Sequence, residues 1–346
     1  MENLVVSPDG ARVACADQGG GVRVVDVERG AVTTLEHEGE VLAMAFSPDG
    51  TRLVWAGEGG RIRIQAIGTG AALVFEGHER KVRSVAFSPD GARVASASAD
   101  GTVRLWPSGG GAGEIVERRP CEATTLVFSP DGARLASAFE DGVVVMRDVG
   151  SGRTETLVGH QGSVSVLAFS PDDRVLASGG ADHTVRLWDA KTGSIRRVIE
   201  AGGTGIKRLV FFPDARRFAT LGGETNARLW EVEGGSLLEV LRGHTGVVNA
   251  LSISPDATRL ATTGRDGTVR LWDLEAKESR VLMGHTGPVF TLSFALGGRA
   301  LVSAGTDGTV RRWMDDLPAD GPGVRASLEA ATPETTESLG IEEAPR

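Results

Sequence analysis

Apolar and polar residues alternate along this chain in short runs, each closed by a turn signal. In residues 82–87 apolar and small side chains alternate, and Ser88-Pro89-Asp90-Gly91 then breaks the run. Proline fits the second position of a type I turn, and aspartate and glycine suit the positions after it. Residues 93–98 read as a second strand ended by Asp100-Gly101, and residues 102–106 as a third. A more variable fourth strand leads to the next Gly-His dipeptide, as in residues 157–160. No segment carries a convincing helical period; the period of two is that of strands burying alternate side chains.

The same passage recurs. Its turn reads SPDG at Ser7, Ser47, Ser88 and Ser129, SPDD at Ser170, FPDA at Phe212, SPDA at Ser254 and ALGG at Ala295, at intervals of 40, 41, 41, 41, 42, 42 and 41 residues. A second phrase keeps step: TVRLW ending at Trp106, Trp188 and Trp272, NARLW at Trp230 and TVRRW at Trp313. A fixed period over nearly the whole chain means one supersecondary unit that buries its faces against its neighbours. Four short strands per unit, with turns between, predict an all-β propeller blade.

Four units also share a constellation of polar residues. They are His78, Ser96, Asp100 and Trp106; His160, Ser178, Asp182 and Trp188; His244, Thr262, Asp266 and Trp272; and His285, Ser303, Asp307 and Trp313. The spacings are 18, 4 and 6 in every case. With the dipeptides Gly77-His78, Gly159-His160, Trp188-Asp189 and Trp272-Asp273, residues 1–313 resemble the WD-repeat β-propeller family, bacterial type. Serine, histidine and aspartate together could also spell a nucleophilic triad. An active site is needed once, however, and this set occurs four times at blade spacing. A structural chain in which aspartate meets histidine, histidine the hydroxyl, and the hydroxyl the indole N–H is the expectation, and the resemblance implies the same.

The other units are degraded. The second has His37, Trp55, Gly59 and Gln65 at these places, the fourth Arg119, Ser137, Asp141 and Arg147, and the sixth Gly202, Thr220, Glu224 and Trp230. The first has Cys15, Gly19 and Val25. Trp55 is read as refilling the core beside the missing tryptophan of its own unit, and His183, in the glycine place of a turn, as exposed. Counting from residue 1 gives eight four-stranded blades, the last spanning residues 288–313 and taking its fourth strand from the tail, at residues 324–328. The alternative begins at residues 31–36 and gives seven blades plus an N-terminal remnant with an exposed edge. The abrupt start leaves open a longer protein of which this chain is a segment.

In WD-repeat propellers the Gly-His loop and the Asp-Gly turn share one face, and the resemblance implies that this face holds peptides or domains at the rim of the central channel. Two variable rings would lie there. One reads Leu42, Arg83, Thr124, Ser165, Lys207, Asn249 and Phe290, and the other Glu58, Ala99, Glu140, Ala181, Gly223, Arg265 and Thr306. Arg83, Lys207, Arg265 and Phe290, with Arg80 and Lys81 beside them, are the candidate partner site, because arginine and exposed aromatics are enriched at binding hot spots. A basic rim would favour an acidic peptide or phosphopeptide.

Charge narrows the partner class. From Met314 onward there are eight acids against two arginines, a net of −6 within the chain's −9, which leaves the body at −3. A nearly neutral body argues against general nucleic-acid binding, which needs a basic surface. Residues 314–346, acidic and proline-containing, read as a disordered tail. Two cysteines, Cys15 and Cys121, make no disulfide framework, and no apolar run reaches membrane-spanning length. The rim acids Glu58 and Glu140 have no clustered histidine, and there is no phosphate-binding loop, Cys-x-x-Cys pair or metal-like histidine spacing. The expectation is a cytoplasmic, non-catalytic scaffold for other proteins, without metal or cofactor and without membrane contact. The alternative is a regulatory propeller of a bacterial multidomain protein linked to a kinase, protease or ATPase; a propeller enzyme is the third reading. The richness in glycine, alanine, valine and arginine suggests a GC-rich genome.

Overall fold

The computed structural model describes residues 3–16, 19–35, 39–70, 72–314 and 341–343. It contains eight four-stranded sheets, each in sequential strand order. The eight blades span residues 3–35, 41–75, 82–118, 123–157, 164–200, 208–242, 248–282 and, for the last, 289–314 with Ile341–Glu343. The first strand of each blade touches the first strands of the blades before and after it, and Asn3–Val6 of blade 1 touches Val289–Ala295 of blade 8. The inner strands thus ring a common axis and the circle closes. Asn3–Val6 pairs with Arg12–Ala16 inside blade 1, so the seven-blade alternative is excluded. The fourth strand of blade 8 is Ile341–Glu343, from the tail, paired parallel to Val310–Met314; residues 324–328 lie outside the described residues.

The burial pattern explains the ring. Eight apolar clusters fill the eight junctions between consecutive blades. At the junction of blades 4 and 5, for example, Ala136, Val144, Met146 and Leu157 meet Leu167, Phe169, Leu176 and Trp188. Stability is therefore shared among neighbours, which is why degraded units still sit in the circle. Ring closure needs no exchanged strand: Val13, Cys15 and Val27 pack on Ala300, Val302 and Val310, and Arg312 Nη1 donates to the Val27 carbonyl at 2.7 Å.

The serine-proline-aspartate turns cap the opposite face. In each, the serine hydroxyl donates to the aspartate two residues on, as Ser88 does to Asp90 at 2.5 Å, and accepts the backbone N–H five residues on. The arginine at that fifth place often reaches the next blade: Arg12 Nη1 donates to Gly50 O, Arg52 Nη2 to Gly91 O and Arg259 Nη2 to Gly298 O, at 2.9 to 3.1 Å. There is one short 3-10 turn, Leu296–Gly298, and no α-helix among the described residues. No helix there is long and apolar enough to cross a membrane.

Candidate functional site

Each complete tetrad is assembled from the second and third strands of a blade, the loop before its first strand and the turn between the second and third. In blade 3, His78 Nδ1–H donates to Asp100 at 2.9 Å, Ser96 Oγ–H donates to His78 Nε2 at 2.7 Å, and Trp106 Nε1–H donates to Ser96 Oγ at 2.8 Å. The same three bonds recur at 2.8 to 3.0 Å in blades 5, 7 and 8. A threonine two residues after the aspartate belongs to the set and was not singled out from the sequence: Thr102, Thr184, Thr268 and Thr309 each donate their hydroxyl to it. The recurrent TV at the head of TVRLW was the available signal. The N–H after each histidine also donates to that aspartate, joining the Gly-His loop to the Asp-Gly turn on one face.

These arrangements have triad geometry without triad access. Ser96, Ser178 and Ser303 are fully buried and Thr262 is 1% exposed, so no substrate carbonyl can reach the hydroxyl. The hydroxyl also accepts an indole N–H, which lowers its nucleophilicity. Burial holds His78, His160 and His244 below the ordinary imidazole value, more than the adjacent aspartates Asp100, Asp182 and Asp266 raise them. For Asp100 burial is the largest single influence and pushes upward. Donors from Thr102, the Glu79 N–H and His78 together outweigh it and hold the carboxyl at about 2. The pair is thus neutral imidazole with carboxylate, the arrangement that a buried structural bridge favours.

The degraded blades improvise. In blade 4, Arg119 replaces histidine and binds Asp141 at 2.8 Å. In blade 6, Trp230 still donates to Thr220 at 2.8 Å, while Glu224 pairs with Arg228 at 2.5 Å. In blade 2, Trp55 is 1% exposed and packs with Leu53 and Phe46 against blade 1, so it does refill the core; His37 lies outside the described residues. His183 is exposed with a left-handed backbone (φ 66°), its Nδ1 against Gly203 O at 2.6 Å.

The variable ring proves to be a ring of β-bulges. Leu42, Arg83, Thr124, Ser165, Asn249 and Phe290 are each the extra residue where the inner strand shifts register against its neighbour. A bulge releases one side chain from the strand's alternation and re-aims it, which explains the variability at a fixed place. Three of these side chains stitch adjacent blades: Thr124 donates to Val164 O at 2.5 Å, Ser165 to Ile206 O at 2.6 Å and Asn249 to Val289 O at 2.8 Å.

The candidate partner residues fall into two groups. Arg83 binds Glu122 of blade 4 through Nε at 2.8 Å and Nη2 at 2.5 Å, and Arg80 reaches the same carboxylate at 3.1 Å and Ala99 O at 2.7 Å, with Lys81 half-buried beside them. Their charge is largely answered. Lys207 of blade 6 and Arg265 of blade 7 are exposed and make no ion pair with the described residues, and half-buried Phe290 follows on blade 8. These three lie on consecutive blades, while blade 3 is across the ring from blade 7. Arg208, beside Lys207, was missed. It stands where other inner strands carry Ala43, Ser84, Thr125, Val166, Ala250 and Thr291. Its side chain is exposed, yet the surrounding strands desolvate it enough to pull its pKa below the arginine norm, and it too makes no ion pair with the described residues. Comparing that column of small residues would have found it. No three histidine, cysteine or acidic groups among the described residues converge as metal ligands.

The family model described as "WD domain, G-beta repeat" matches residues 30–64, 71–107, 152–189, 235–273 and 276–313, more than half of the chain. Each match begins at or near an outer strand and ends with the third strand of the following blade, and the core strands of blades 4 and 6 fall in the gaps. The crystal structure of the computationally designed Ika8 protein is similar to this chain at 28% identity and a TM-score of 0.78, over 90% of this chain and 95% of that one. No curated protein matches the sequence.

Proposed function

This chain belongs to the WD-repeat family, and from that footing we propose that it is a non-catalytic scaffold that holds an acidic segment of a partner protein on the arc formed by Lys207, Arg208, Arg265 and Phe290. What supports this reading is the contrast in charge pairing around one face. Lys207, Arg208 and Arg265 carry exposed charge with no carboxylate among the described residues answering it, on neighbouring blades beside a half-buried aromatic, whereas Arg80 and Arg83 spend theirs on Glu122. Unanswered cations next to an apolar anchor are what an acidic peptide complements. The buried hydroxyls of the tetrads support the absence of catalysis.

The test is affinity capture from native lysate with mass spectrometry, after circular dichroism confirms that each variant is folded. A partner retained by Arg83→Gln and lost by the Lys207→Glu/Arg265→Glu double variant is the expected result. A partner that the double variant keeps, or that Arg83→Gln alone releases, rejects this arc as the site.

A further inference from the structure

The junction of blades 3 and 4 is built differently from its neighbours. Blades 3, 5, 6, 7 and 8 each seat a tryptophan against the preceding blade, and blade 2 seats Trp55. Blade 4 has Arg147 in that place, and its cluster with blade 3 contains no tryptophan. A guanidinium cannot fill the volume of an indole or lie in apolar contact as an indole does. The result is a groove of about 530 Å³ bordered by Arg93, Leu105, Pro107, Val116, Arg147 and Val149.

Two cations border this groove. Arg147 Nη1 donates to Val116 O at 3.2 Å, and its side chain remains 21% exposed. Its ion-pair partner, Glu114, stands 3.9 Å away and is 71% exposed, a long and solvent-screened pair that neutralises it only weakly. Arg93 is the blade 3 counterpart of Arg52, whose guanidinium bridges to Ser108 Oγ at 3.0 Å and Gly91 O at 2.9 Å. The residue in blade 4 that corresponds to Ser108 is Val149, which offers no acceptor. Arg93 makes no hydrogen bond through its guanidinium to the described residues, and Asp90, the acid that feels its charge, is already engaged by Ser88 and the Ala92 N–H. Asp148, below the groove, is likewise taken by Ser151.

We propose that this side groove between blades 3 and 4 is a second docking site, for an extended acidic segment of a partner protein that places an aliphatic side chain on Leu105, Val116 and Val149 and a carboxylate between Arg93 and Arg147. Charge complementarity selects the acidic class, and the apolar wall selects an aliphatic neighbour. The chain's own acidic residues 315–340 are the weaker occupant. They start and end on blade 8, at Met314 and Ile341, almost across the ring, so they would have to cross it and double back within 26 residues. The site is independent of the arc on blades 6 to 8.

A phage-displayed random peptide library selected on the full chain tests this, with affinities then measured by fluorescence polarisation on three variants. Arg147→Trp fills the groove with the residue the fold accepts elsewhere, Arg93→Gln removes one cation, and Lys207→Glu/Arg265→Glu alters only the distant arc. Peptides enriched in acidic and aliphatic residues should lose at least about tenfold in affinity on Arg147→Trp and on Arg93→Gln, and should keep it on the double variant. If every selected peptide binds Arg147→Trp and Arg93→Gln as it binds the wild type, or if those lost carry no acid, the groove is not this site. Peptides lost only on the double variant would support the face arc while rejecting the groove. Should Arg147→Trp fail to fold, Arg93→Gln alone decides.

Discussion

Blade 5 carries the full tetrad, and blade 4, directly beside it, keeps only the serine and the aspartate. In blade 5 the indole of Trp188 closes the junction with blade 4 and anchors the polar chain through Ser178 to His160 and Asp182. In blade 4 an exposed ion pair, Arg119 with Asp141, holds the loop to the turn, and Arg147 leaves the junction with blade 3 partly open. Both blades nevertheless have four antiparallel strands with matching register and the same bulge on the inner strand. The strand pattern and the apolar alternation therefore suffice to make a blade. The tetrad adds rigidity and a dry junction, and its loss leaves a surface free for other use.

The comparison breaks most readily at the tryptophan place. Trp188→Ala should cost about 3–5 kcal/mol, because it removes a large buried side chain and leaves the Ser178 hydroxyl without its donor. Arg147→Ala should cost under about 1 kcal/mol, since it removes a partly exposed group with one weak bond. Urea denaturation followed by tryptophan fluorescence and circular dichroism measures both. Equal losses would mean that blade 4 depends on Arg147 as blade 5 depends on its indole, and the contrast would fall.

Acid separates the blades next. Burial holds His78, His160 and His244 below 6.5, so the unfolded chain takes up protons first as pH falls through that value. Stability contributed by keeping these rings neutral is present above pH 6.5 and is lost on the way down, by at most about 1.4 kcal/mol per pH unit for each histidine. A second loss follows below pH 3.8, because Asp100 and Asp307 titrate near 2 in the folded state. Blade 4 takes no part in the first step, since Arg119 does not titrate there. The chain should therefore show a lower urea midpoint at pH 5 than at pH 7.5. A His78→Gln/His160→Gln/His244→Gln variant, weaker at pH 7.5, should show a flatter dependence between the two, and an unchanged slope would place the acid sensitivity elsewhere.

Much of this was legible in the residues, for a physical reason. Strand alternation, the turn phrase and the spacing of the tetrad are local, and a period near 41 residues repeats them until chance is excluded. Trp55 could be assigned to the core because its neighbour Gln65 lacked the bulk that the junction needs. What stayed hidden depends on contacts between blades. Nothing in Arg83 itself announces Glu122, which lies 39 residues on. The bulge that re-aims the variable ring arises from register, and the parallel return of Ile341–Glu343 to blade 8 rests on a three-residue pairing that no pattern marks. Arg93 looks like Arg52 in sequence, and only the exchange of Ser108 for Val149 on the following blade tells them apart.

The smallest difference between the two blades lies in their turns, and it sharpens the comparison in the opposite sense. Gly132 of blade 4 and Asp173 of blade 5 occupy the same place in the serine-proline-aspartate turn, with φ of 72° and 60°. That left-handed backbone is free to glycine and strained for other residues. Here blade 4 is the better-made unit. Gly132→Ala should cost about 1 kcal/mol, because the new Cβ meets Pro89 Cδ at 3.3 Å and the φ is unfavourable. Asp173→Gly should gain under about 1 kcal/mol, as strain relief is offset by greater unfolded-state entropy and by loss of the 3.2 Å bond that Asp173 accepts from the Asp131 N–H. Thermal melting of the two single variants would read the opposite signs. If Asp173→Gly melts lower than the wild type, the bond across the junction outweighs the strain, and the aspartate is there to tie blade 5 to blade 4.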